Sequence, residues 1–326
     1  MGGCADRPIR RSSVAFRPSA PLPLRPSSFF VMPPGALRTL LHGIVDYAGL
    51  FPPAALDLRA AVAEYATHRA GTDRWMLGRF VVPAARLAEF GRAAEPCLPA
   101  AGEAWRVSAL FGADLAADLA AVARFNSTWG LRARVDALEL KASDSESAAG
   151  ALAAAGTSLE RYVELPVQAD LPALLRTLAG HGAKAKIRTG GVTAGAFPQP
   201  TELLRFVRAA LDANVAFKAT AGLHHPICGS YALTYDANPD RAPMYGFLNL
   251  FLAATFLAHG MSDQDAVALL TDRSAEAFRF SDGAAEWRGH AIGTAELARA
   301  RQDVATSFGS CSFREPVADL QALAFL

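Results

Sequence analysis

Lysine is scarce in this chain. Of 32 basic residues among 326, only Lys141, Lys184, Lys186 and Lys218 are lysine, and the other 28 are arginine. An Ala-, Arg- and Gly-rich composition of the kind a GC-rich genome produces drifts Lys to Arg wherever a plain positive charge suffices. Cysteine is also sparse: Cys4, Cys97, Cys228 and Cys311 are widely spaced and form no CxxC pair. That excludes a disulfide framework and a zinc ribbon, and suits a reducing compartment. No apolar run is long enough for a bilayer, since the longest, residues 246–258, is interrupted by Asn249. No GxGxxG follows the first expected strand, and P-loop, GxSxG, HxH and HExxH patterns are absent. A net charge of +1, without aromatics interleaved among basic residues, argues against nucleic acid. No membrane partner and no cofactor are expected.

With 52% hydrophobic and 19% charged residues, the chain has an ordinary globular composition. Residues 1–31 differ in kind: five Arg, five Pro, many Ser and a single acid, Asp6. Such a segment is either an organelle-type presequence or an over-extended start ahead of Met32, and the second reading is preferred. Residues 1–34 are accordingly set apart as an extension, and 35–326 as one domain. Cytoplasmic residence is expected, or organelle import if the segment is a presequence. Without it the chain holds 27 basic and 30 acidic residues, so the slight basicity belongs to the extension.

From about residue 40, short apolar runs alternate with Ala/Leu/Arg stretches of helical spacing. Strands are expected at Ile44–Phe51, Trp75–Val82, Arg106–Phe111, Arg134–Lys141, Arg161–Pro166, Lys184–Thr189, Val215–Thr220 and Ala277–Phe280. Most steps between them are about 23 to 31 residues, the length of a βα unit. This implies an α/β (β/α)8 TIM-type barrel, with an inserted helical pair (Tyr245–His259, Ser262–Phe278) before the last strand and a C-terminal helix over Glu315–Leu326. Assembly into a homo-oligomer is compatible with the sequence.

Barrel active sites lie at the C-terminal ends of the strands, so charged residues there with inward parity are site candidates. Lys186 and Arg188, Lys218 and Thr220, Glu139 and Lys141, and Glu164 meet that condition. Lys184 sits lower and reads as a solvated or salt-bridged bottom residue. A structural ion-pair network with Glu139 and Glu164 is the plain alternative for the other lysines. Arg, however, serves carboxylate pairing better than Lys. A lysine can lose its proton and attack a carbonyl to form a Schiff base. Bringing its pKa from 10.4 to about 7 requires roughly 4.6 kcal/mol. A second ammonium about 5 Å away supplies on the order of 3 kcal/mol at an effective dielectric near 20. Lys186 is therefore the expected nucleophile, Lys218 its perturber, and Glu164 or His224 a proton shuttle. The net positive count, to which Arg79 could add, favours a small anionic metabolite.

The segments Lys186-Ile-Arg-Thr-Gly-Gly191 and Lys218-Ala-Thr-Ala-Gly222 resemble the paired lysines of class I aldolase barrels, especially deoxyribose-phosphate aldolase. The resemblance implies that the first lysine forms the Schiff base and the second depresses its pKa. Arg188 and the run His224-His225-Pro226 depart from that pattern. Thr189, Gly190 and Gly191 could cradle an anion with backbone N–H groups. His224 and His225 could contact substrate, act as acid or base, or bind metal, and Asp46 closes the first strand as a further candidate. Open alternatives are a non-covalent enolising enzyme or isomerase, a metal-dependent hydrolase using His224 and His225, and a non-catalytic binder of an anionic metabolite.

Overall fold

The computed structural model describes residues 33–326; the N-terminal extension lies outside the described residues. After a short helix, α1 (Gly35–Leu41), strands and helices alternate. They are β1 (Val45–Tyr47), α2 (Leu58–Ala70), β2 (Leu77–Pro83), α3 (Leu87–Ala94), β3 (Trp105–Leu110), α4 (Leu115–Trp129) and β4 (Ala133–Lys141). Then come α5 (Ser145–Ala155), β5 (Glu160–Glu164), α6 (Leu171–Gly180), β6 (Lys184–Arg188), α7 (Pro200–Asp212) and β7 (Phe217–Thr220). A hairpin follows, β8 (Gly229–Ala232) and β9 (Arg241–Met244), and then helices α8 (Phe247–Ala258) and α9 (Asp263–Thr271). Strands β10 (Phe278–Phe280), β11 (Ala284–Trp287) and β12 (His290–Gly293) precede α10 (Thr294–Asp303), β13 (Ala305–Ser310) and α11 (Arg314–Ala322).

Eight strands close a parallel barrel in the order β1-β13-β7-β6-β5-β4-β3-β2. The chain is thus a (β/α)8 TIM-type barrel with a helical insertion and a C-terminal helix. Its first seven strands fall where the apolar runs predict them, with ends shifted by a few residues. The eighth does not. Residues 278–280 pair antiparallel with β11 in a separate three-stranded sheet, and Ala305–Ser310 completes the barrel. Gly309 explains why a strand of small and hydroxylated residues suits this position: a Cβ there would lie 3.2 Å from Thr220 Oγ1 on β7. The β13 backbone seats Asp46 opposite Gly309, where a bulky apolar run would crowd its neighbours.

Local chemistry agrees with the fold. Asp57, Asp114 and Asp170 each cap a helix by accepting a backbone N–H three residues on. Most of β2 is buried, as expected of a parallel strand covered on both sides. Helix α8 is buried along nearly its whole length, as its apolar sequence implies, and Asn249 is satisfied by Cys228 N and two carbonyls. No helix among the described residues is long and apolar enough to cross a membrane.

Candidate active site

Parallel register places Lys141, Glu164, Lys186 and Lys218 in one row across four adjacent strands, β4 to β7. All four line a cavity of about 540 Å³ at the C-terminal mouth of the barrel. Beneath them Glu139 reaches inward from β4 and joins the two inner lysines. Its Oε2 lies 2.7 Å from Lys186 Nζ and its Oε1 2.8 Å from Lys218 Nζ. Ser108 also donates to Glu139 Oε1, at 2.8 Å. Burial alone would raise the Glu139 pKa, but Lys186 and Lys218 outweigh it and hold the carboxyl well below the usual range.

Lys218 is the most enclosed of the cations. It donates to Asp46 at 2.5 Å and to Glu139, and stands 5.2 Å from the centre of the Tyr162 ring. Burial pushes its pKa down, yet Asp46 and Glu139 more than offset this and keep it above the ordinary lysine value. Asp46 is buried and serves as a support: it also accepts from Ser307 Oγ at 2.9 Å and from the Arg79 backbone N–H at 2.8 Å. Lys186 differs in one respect. Its second partner, Glu164 at 2.8 Å, reaches the cavity, and among the described residues Glu164 has no other ion-pair partner.

Repulsion between two adjacent ammoniums, as expected from the sequence, is not what the geometry presents. Both amines converge, but on a shared carboxylate. Inward parity also places Glu139 and Glu164 in this layer, and the ion-pair network that was the plain alternative is the arrangement present. The positive count is likewise reduced by Asp46.

Arg79 does not join the cavity. It lies in the lower barrel, where Nε pairs with Asp136 at 2.6 Å and Nη2 with Glu160 at 2.5 Å. Lys184 bonds Glu160 in the same lower network, as its position at the start of β6 suggests. Thr189 and Gly190 do not line the cavity either. Thr189 Oγ1 donates to Ala221 O at 2.6 Å, tying the turn after β6 to the turn after β7. The turns meet so closely that a Cβ on Gly222, whose φ is +72°, would sit 2.7 Å from Gly190 Cα. Gly191, Arg188 and Thr220 do reach the cavity, and neither Lys141 nor Arg188 has an ion-pair partner among the described residues.

No protein-family model and no curated protein matches the chain. What the site can do must therefore be read from its own geometry.

His224 and His225 follow the left-handed pair Ala221 (φ +59°) and Gly222, which reverses the chain so that both rings line the cavity. Helix α11 holds them. His224 Nδ1 lies 3.0 Å from Glu315 Oε2, and His225 Nδ1 lies 2.5 Å from Asp319 Oδ2. Tyr235 also donates to Glu315, at 2.8 Å, and Tyr231 stacks on His225 with ring centres 3.5 Å apart. Among the described residues no three His, Cys, Asp or Glu side chains gather as a metal-ligand group. The carboxylates of α11 were missed in the sequence. A faint signal was present: Glu315 and Asp319, four residues apart, lie on one face of the terminal helix.

Proposed function

We propose that the protein is a Schiff-base lyase of aldolase type, acting on a small anionic carbonyl compound. The observation that carries this reading is the unequal pairing of the two buried lysines. Lys218 is enclosed by Asp46, Glu139 and the Tyr162 ring, and keeps its proton. Lys186 shares one partner with it, but its other partner, Glu164, is reachable from the cavity.

In the proposed chemistry Glu164 takes a proton from Lys186, freeing Nζ to attack the substrate carbonyl. The same carboxyl then protonates the carbinolamine oxygen, which leaves as water. Glu139 is a poor proton acceptor, because two ammoniums and Ser108 stabilise its charged form. Lys218 is thus a positioning residue that keeps Glu139 ionised, rather than a group that repels the Lys186 proton. Lys141 and Arg188 would receive the substrate's acidic group at the rim.

A second reading shares these residues. Lys186 stands between two carboxylates at 2.7 and 2.8 Å, a setting that also suits a permanent ammonium polarising a carbonyl while Glu164 enolises it. Trapping separates the two. The protein is incubated with pyruvate, glyoxylate or dihydroxyacetone phosphate, reduced with borohydride, and digested with trypsin. The covalent reading expects a mass-shifted peptide spanning Ala185–Arg188, lost in Lys186→Arg. Enolisation of a probe without any adduct would favour the second reading and end the first.

A further inference from the structure

Lys186 is flanked around the barrel wall by a proton carrier on each side. Glu164 stands on β5, one strand away, and the histidines follow β7, the strand on the other side. The two imidazoles are not equivalent. His224 shares Glu315 with the Tyr235 hydroxyl and has Ser310 Oγ within 3.4 Å. Among the described residues His225 shares the Asp319 carboxylate with no other side chain, and the stacked Tyr231 ring of β8 fixes its plane. A carboxylate can only accept, so Nδ1 of His225 carries the proton and Nε2 is the atom left for the cavity. That is the geometry of an oriented general base.

We propose that the His225–Asp319 dyad is a further catalytic unit, the base that removes the proton from a hydroxyl on the β-carbon of the Lys186-bound substrate. The inference rests on the Schiff-base reading and deepens it by naming the base for the cleavage step. With the substrate held as an iminium on Lys186, His225 Nε2 takes the hydroxyl proton and the new C=O forms at the β-carbon. The bond between the α- and β-carbons breaks, and its electron pair moves into the iminium to give an enamine. The β-fragment leaves as an aldehyde. The enamine α-carbon then regains a proton from the His225 imidazolium, and water hydrolyses the iminium, releasing the ketone and restoring Lys186. One water is lost on forming the Schiff base and one is consumed on breaking it, so no oxidant or reductant is needed. The substrate class is therefore a β-hydroxy carbonyl compound carrying an acidic group.

The groups facing His225 agree with a neutral base. Burial pushes its pKa down, with His224 acting in the same direction, while Asp319 of α11 and Glu315 oppose. Tyr231 adds no charge, since its own pKa is raised by burial.

Two measurements on the full chain test the dyad. In protein labelled with 15N-histidine, His225 is expected to be neutral at pH 7, with the proton on Nδ1. An imidazolium, or a proton on Nε2, overturns the proposal without reference to any substrate. The second measurement separates two half-reactions, using pyruvate and dihydroxyacetone phosphate as ketone probes and their aldols with glyceraldehyde 3-phosphate as cleavage probes. His225→Gln and Asp319→Asn are expected to slow cleavage by about 10²- to 10⁴-fold, leaving borohydride trapping at Lys186 intact. Wild-type cleavage rates in either variant overturn the proposal, as does wild-type protein that is trapped by a ketone yet cleaves none of the aldols. Absence of trapping in the wild type overturns the covalent reading itself, and the dyad's role with it. Failure of the dyad alone leaves trapping in place.

Discussion

Replacing Glu139 with glutamine is the sharpest perturbation of the site, because the amide keeps the shape and removes one charge. In the native protein two ammoniums rest on its two oxygens at 2.7 and 2.8 Å, all three groups being buried. Removing one partner of a buried ion pair typically costs about 3–5 kcal/mol, since the remaining charge stays desolvated. Here two charges lose a partner, but each retains another carboxylate, Asp46 for Lys218 and Glu164 for Lys186. The expected loss is therefore about 3–5 kcal/mol rather than twice that, or roughly a hundredfold to several thousandfold in the folded-to-unfolded ratio. The pH dependence follows from the depressed pKa of Glu139. A carboxyl that binds its proton more weakly when folded contributes stability that is fully present above its unfolded value, about 4.3, and is lost as pH falls through the folded value. Urea unfolding of wild type and Glu139→Gln should thus differ by the full amount at pH 7, and the gap should narrow below about pH 4. A gap under about 1 kcal/mol at pH 7, or one of constant size down to pH 3, would refute the claim that Glu139 is the ionised hub of the site.

Two further perturbations address the rim and the turns. Arg188→Ala and Lys141→Ala should each weaken binding of a small anion such as phosphate by about tenfold or more, as loss of a hydrogen bond to a charged group implies. Calorimetric titration at low and high salt checks this, and unchanged affinity in both variants would move the anion subsite elsewhere. Gly222→Ala should destabilise the protein by at least about 1–3 kcal/mol, because the residue has φ +72° and its Cβ would collide with Gly190. A melting temperature equal to wild type would show that the two turns are not packed as described.

Much of the barrel was legible because seven of its strands are apolar runs of the right length and spacing. Inward parity then brought Glu139, Glu164, Lys186 and Lys218 together from four separate segments, and left Lys184 at the bottom. The eighth strand escaped because Ala305–Ser310 carries little of the hydrophobicity by which buried strands are recognised. Its small residues answer to the close approach of Thr220 and to the hydrogen bond from Ser307 to Asp46, which are long-range facts. The C-terminal helix itself was legible, but its support of the histidines was not. Glu315 lies 91 residues from His224, and Asp319 lies 94 from His225, so only the closed barrel brings them together.

Charge balance changes with height in the barrel, and that gradient bears on how substrate would enter. At the bottom Arg79, Arg106 and Lys184 share Asp136 and Glu160. In the middle Lys186 and Lys218 are matched by Glu139, Glu164 and Asp46. At the rim Lys141, Arg188 and Arg241 line the cavity without an ionic partner among the described residues. On the proposed reading an anionic substrate would therefore be drawn to the rim and not to the buried amines. Field from an unmatched charge reaches solvent, whereas a charge bonded to carboxylates at 2.5–2.8 Å presents little of it. Affinity and chemistry are then assigned to different residues. A binding assay should respond to Lys141 and Arg188 more than to Lys186, and a trapping assay should respond to Lys186 first.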